Sequence, residues 1–151
     1  MGRRLILLMA LAAVLSGCAV QARELPPPDQ LFAAIQAQVE LPEMVDTAGT
    51  DLEALTGIGP DRCDGAVCLR LREGTAPDEI IIVRGRDEEA AGEIQERLEN
   101  RLEYKRESGE LYLTQYQPML QAGVVRRDGL TVSLIVSERA EEIERVYAGL
   151  R

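Results

Sequence analysis

Ile80-Ile81-Ile82-Val83 sets four β-branched side chains in a row. Such a run reads as a buried strand, because branching at Cβ suits a pleated surface better than a helix. It commits the chain to a sheet. A partner strand precedes it. Val67, Leu69 and Leu71 alternate with Cys68, Arg70 and Arg72, the period-two pattern of a half-buried strand. Gly74 to Asp78 makes a hairpin-sized loop between them. A second hairpin is expected from Val124-Val125 and Leu130 to Val136, around Arg127-Asp128-Gly129.

Helical periodicity fills the rest. Asp29 can cap a first helix whose Leu31, Phe32, Ile35 and Val39 share a face, and Leu41-Pro42 ends it. Thr50-x-x-Glu53 is a capping-box pattern before Leu52 and Leu55, with Gly57 as the stop. The longest helix is expected over Asp87 to Arg106, with Ala91, Ile94, Leu98 and Leu102 inward and Gly109 interrupting it. Glu110 to Gln121 reads as loop plus short helix. Ser137 caps a last helix with Ala140, Ile143, Tyr147 and Leu150 inward. The order α-α-β-β-α-β-β-α predicts an α+β fold: a mostly antiparallel sheet of about four strands with helices packed on one face.

The N-terminus is an address rather than part of the fold. Arg3-Arg4 precedes an apolar run from Leu5 to Leu15, shorter than the ~20 residues a membrane span needs. A basic start and a short apolar stretch form an export signal. Leu15-Ser16-Gly17-Cys18 follows and reads as a bacterial lipobox. Residues 1–17 are then a signal peptide, and Cys18 is the lipidation site, diacylated on its thiol. Two acyl chains anchor stably where one does not. An ordinary secretory signal cleaved after Ala22 is the alternative. Residues 18–28, ending in Pro26-Pro27-Pro28, form a tether that favours extended polyproline II geometry. Residues 29–151 form a single domain. The expected location is the extracytoplasmic face of the cell membrane.

The composition narrows the chemistry. The chain has no His, so it has no Ser-His-Asp triad, His base or His metal ligand. From Cys18 onward, 15 basic residues face 26 acidic ones. That balance argues against a nucleic-acid partner, which needs a basic face. It also leaves the lipid anchor, not surface charge, as the hold on the membrane.

Cys63-Asp64-Gly65-Ala66-Val67-Cys68 is the most pointed motif. In an exported protein the pair is a disulfide candidate across a tight Asp64-Gly65 loop. The competing readings are two free thiols or a redox pair, although redox pairs ordinarily use C-x-x-C at a helix start. Two thiols are half of a zinc site, and no metal or other cofactor is expected. The acidic residues Asp87, Glu88, Glu89, Glu93, Glu96, Glu99, Glu103 and Glu107 read as a solvated helix face. No D-x-D-x-D-G loop organises them for Ca²⁺. With 3% aromatic residues and no Trp, a sugar-stacking glycosidase cleft is not supported. Arg70, Arg72, Arg84 and Arg86 offer either a carboxylate-contact surface or a charged strand edge. Tyr104, Tyr112, Tyr116 and Tyr147 could cluster near the last two helices, and they read as core packing with the hydroxyl at the surface ahead of a partner-binding patch.

Leu41-Pro42-Glu43-Met44, Gly57-Ile58 before Pro60-Asp61, Asp78-Glu79-Ile80, Arg86-Asp87, Tyr112 with Tyr116, and Val136-Ser137-Glu138 occur in this order. Behind a lipobox, the set resembles the bacterial lipoprotein family called domain of unknown function 4358, over residues 29–150. The resemblance implies a surface lipoprotein. It carries over no activity, cofactor or catalytic residue, and Cys63 and Cys68 are not part of it.

The function expected from these readings is a non-catalytic binding or adaptor module at the cell envelope. It would be held by membrane lipid through Cys18 and would engage an envelope protein. The alternative is an envelope thiol-redox or other small enzyme using Cys63 and Cys68.

Overall fold

The computed structural model describes residues 24–151, so the Cys18 lipobox and the signal peptide lie outside the described residues. The elements run α1 (Pro28–Gln36), β1 (Met44–Asp46), α2 (Leu52–Thr56), a 3-10 turn (Pro60–Arg62), β2 (Cys63–Leu71), β3 (Glu79–Gly85) and α3 (Glu88–Tyr112). A second 3-10 turn (Thr114–Tyr116), α4 (Gln117–Ala122), β4 (Val124–Asp128), β5 (Thr131–Val136) and α5 (Ala140–Leu150) complete the chain. The sheet order is β1-β2-β3-β5-β4, and every neighbouring pair is antiparallel. This is the α+β class expected, with five strands rather than about four. The added strand, β1, has three residues, too few to display a period.

The helices lie on both faces of the sheet, not on one. Val67, Leu69, Ile80, Ile82 and Ile135 pack with α1 and α5. Cys68, Ile81, Val83, Val132, Leu134 and Val136 pack with α2, α3 and α4. The cause is in the opening motif. Consecutive strand residues point to opposite faces, and all four of Ile80 to Val83 are fully buried. A strand apolar at both parities requires cover on both sides.

Local chemistry sets the boundaries. Pro28 opens α1 at a position where a missing N–H costs nothing, so Asp29 sits in the first turn rather than capping it. Asp87 caps α3, its carboxylate accepting from the Ala90 N–H at 2.8 Å. Gly109 does not interrupt α3, which runs on to Tyr112. A Cβ there would stand 2.1 Å from Leu120 Cδ1, so the glycine makes room for α4 inside a continuous helix. Ser137 does not cap α5. Its Oγ accepts from the Arg139 N–H at 3.1 Å, in the turn before the helix.

The domain begins earlier than residue 29. Leu25 is 4% exposed, packed in the α1–α5 layer, and Glu24 pairs with Arg84. Among the described residues, no helix is long and apolar enough to cross a membrane.

Candidate functional site

Glu79 opens β3 and is 1% exposed. A carboxylate so buried needs counter-charges. Arg101, on α3, supplies two parallel hydrogen bonds: Nε to one oxygen at 3.0 Å and Nη2 to the other at 2.9 Å. Lys105 lies one helical turn further, its Nζ 3.6 Å from the same carboxylate. Arg70, opposite Glu79 in the β2–β3 register, comes within 3.9 Å and also pairs with Asp51 at 3.4 Å. Burial alone would raise the Glu79 pKa. The Arg101 hydrogen bonds and the charges of Lys105, Arg101 and Arg70 outweigh it and hold the pKa below the usual value. Lys105 is lowered by its burial, with the Arg101 and Arg70 charges adding to the effect. The result is one ionised carboxylate surrounded by three cations. The cluster as a whole is net positive, and its carboxylate is poorly suited to exchanging a proton.

This charge backs a groove of about 440 Å³ between α2 and α3. Ala54, Leu55 and Thr56 form one wall; Arg97, Asn100, Arg101 and Tyr104 form the other. Arg97 is exposed and lies over the end of α2: a Cβ at Gly57 would stand 2.6 Å from its Nη1. Gly57 ends that helix at φ 72°, a left-handed angle glycine adopts freely. The Arg101 guanidinium lies 5.8 Å from the centre of the Tyr104 ring, which is itself 61% exposed. Two guanidinium groups, an amide and a phenol on one wall can grip a carboxylate or phosphate, with the ring as an apolar platform.

Cys63 and Cys68 are not bonded to each other in the structure; both thiols are free. Asp64-Gly65 is not a tight loop but part of β2, with a bulge between Cys63 and Gly65. Five residues of extended strand separate the two Cα atoms by about 13–16 Å, against the ~7 Å a disulfide spans. The bulge absorbs the odd residue, so both thiols face the α2–α3 side of the sheet. Burial pushes Cys68 up to about 11 and raises Cys63 as well.

The other singled-out residues disperse. Arg70 and Arg72 lie at one end of the β2–β3 hairpin, where Arg72 pairs with Glu43 at 2.6 Å. Arg84 and Arg86 lie at the other, on Glu24 and Asp64. The acidic residues from Asp87 to Glu107 form the solvated face expected: all are exposed except Glu93, which is half-buried and pairs with Arg62 at 3.4 Å. Asp87 also caps the helix, and Glu88 pairs with Arg127. Tyr104, Tyr116 and Tyr147 do not form one patch. Tyr104 is exposed, Tyr116 is half-buried, Tyr112 ends α3, and Tyr147 is fully buried on the opposite side of the sheet.

Glu79, Arg101 and Lys105 are absent from the sequence-based candidates. One signal could have found them. A charged residue heading the run Ile80 to Val83 is drawn into the buried sheet and needs partners, and Arg101 and Lys105 stand four apart on a helix.

Comparison with curated proteins and with solved structures finds no match. The model of one family, described as domain of unknown function (DUF4358), matches residues 37–137. That span takes in β1 to β5, with Glu79, Arg101 and the α2–α3 groove. Two thirds of the chain, and all of its sheet, therefore belong to the family domain of unknown function (DUF4358).

Proposed function

We propose that the chain is a lipid-anchored, non-catalytic binding module on the extracytoplasmic face of the cell membrane. Its α2–α3 groove receives a carboxylate- or phosphate-bearing segment of an envelope protein. The observation that carries this reading is the concentration of Arg97, Arg101, Lys105 and Arg70 beside an exposed Tyr104 in a chain of net charge -9. Arginine and tyrosine dominate the energetics of protein interfaces, and surplus positive charge on an acidic domain selects for an anionic partner. The anchor rests on Leu15-Ser16-Gly17-Cys18.

Crosslinking in intact cells tests the reading, with wild type beside Cys18→Ser and Arg97→Glu. One stoichiometric partner, lost in Cys18→Ser and strongly reduced in Arg97→Glu, supports it. A partner indifferent to Arg97→Glu removes the groove from the mechanism. Turnover of an envelope substrate by the purified protein, abolished by substituting one carboxylate, overturns the non-catalytic reading.

A further inference from the structure

We infer that the domain stands on the lipid surface with one defined end down. That end carries Pro60–Arg62, the start of β2, the close of β3 and the β4–β5 turn. The inference rests on the lipid anchor proposed above, and its geometry comes from where the chain enters the fold. Leu25 is buried among the α1–α5 side chains. Glu24 is paired with Arg84 near the end of β3. Pro28 lies against the start of β2, where a Cβ at Gly65 would stand 3.4 Å from its Cδ. Seven peptide steps separate Cys18 from Leu25. Fully extended, these cover at most about 25 Å.

The opposite end is out of reach of that tether. The start of α3 belongs to the anchored end: a Cβ at Gly85 would stand 2.7 Å from the Ala91 nitrogen, and Glu88 pairs with Arg127. From there α3 runs 25 residues, a length of about 37 Å. Leu111 lies in its last turn and is 73% exposed, and Tyr104 stands two turns before it. Both belong to the helical layer on the far side of the sheet from Leu25. They occupy the corner diagonally opposite the attachment point. Bringing that corner down would require the attachment point to rise further than about 25 Å of chain allows.

The chemistry of the lower end fits a headgroup surface. Five arginines gather there, each on a carboxylate: Arg62 on Glu93, Arg84 on Glu24, Arg86 on Asp64, Arg127 on Glu88 and Arg151 on Asp128. A face of mixed sign can approach a zwitterionic layer, whereas a purely acidic face is repelled by an anionic one. Tyr104 and Leu111 are kept off the anchoring bilayer and are presented to proteins beyond it.

The test uses the full acylated protein in phosphatidylcholine vesicles with a headgroup nitroxide quencher. A fluorophore is placed at Asp61→Cys or at Leu111→Cys, each in a Cys63→Ser background; Cys68 is fully buried. Quenching several-fold stronger at position 61 is expected. Equal quenching, or stronger quenching at 111, overturns the orientation. A Gly-Ser insertion of about twelve residues after Gln21 has a root-mean-square span of roughly 20 Å by itself and is expected to narrow the difference. An unchanged difference would show that the tether does not set the pose. The mass of the N-terminal peptide separates the two readings. Missing acyl chains on Cys18 remove the anchor and the orientation together, while acyl chains present with equal quenching remove the orientation alone.

Discussion

Arg101 and Glu79 meet through two parallel hydrogen bonds, 2.9 and 3.0 Å long, between the middle of α3 and the first residue of β3. The pair fixes the long helix on the sheet at a point where the surrounding core is aliphatic. Removing Arg101 takes both hydrogen bonds from a buried carboxylate that is left with the charges of Lys105 and Arg70, at a cost of about 1–3 kcal/mol. Arg101→Met is therefore expected to lower the urea midpoint strongly. The double variant Glu79→Gln with Arg101→Met is expected to lose less than the sum of the two single changes, by about 1 kcal/mol or more. Urea titrations at a common m-value measure this. Strict additivity would show that the pair does not act as a unit.

The same carboxylate governs behaviour in acid. Its folded pKa lies below the ordinary 4.5, because burial is outweighed by Arg101, Lys105 and Arg70. Its contribution is fully present above pH 4.5 and is lost as pH falls through the folded value. Asp78 works in the opposite sense. Burial raises it, so its protonation on acidification favours the folded state. Glu79→Gln is expected to flatten the loss of stability below pH 4.5, and Asp78→Asn to steepen it. Thermal melts from pH 7 downward read both. Parallel curves for Glu79→Gln and wild type would remove Glu79 from the acid transition.

Two glycines in α3 make a paired test of packing against propensity. A Cβ at Gly109 would stand 2.1 Å from Leu120 Cδ1, whereas at Gly92 the nearest atom is Arg127 Nη1 at 3.7 Å, an ordinary contact. Alanine improves on glycine by up to about 1 kcal/mol in a helix interior. Gly92→Ala is expected to collect that gain. Gly109→Ala is expected to lose about 1–3 kcal/mol from overpacking, with partial recovery when Leu120→Ala is added. Calorimetry of the three variants distinguishes a packing glycine from a merely tolerated one.

Much of this architecture is legible in the residues. The strands announce themselves in Ile80 to Val83 and in the alternation of Val67 to Leu71, and α3 announces itself in Asp87, Ala91, Ile94 and Leu98. Periodicity reports which residues are buried, not what buries them. Cys68 and Arg70 look like the wet side of a half-covered strand, yet α2 and α3 lie over that side. Gly109 shows the same limit: a helix stop and a close approach to Leu120 are written with the same letter. The site suffers most, because Glu79, Arg70, Arg101 and Lys105 are separated in sequence and meet only through the β2–β3 register and the seat of α3 on the sheet.

The thiols offer the last test, and here sequence spacing and strand geometry give opposite answers. Spacing favours a bond between Cys63 and Cys68; a nine-residue strand holds them apart. Cys68 is fully buried and pushed up to about 11, so at neutral pH little of it is thiolate and none of it is accessible. Cys63 is half-buried and also raised. In the native protein a maleimide is expected to modify Cys63 slowly and Cys68 only after denaturation, with no change in the mass of the 63–68 peptide on reduction. Recovery of that peptide as an oxidised pair from cells would require β2 to open at its bulge. It would return the thiol-redox reading to the front.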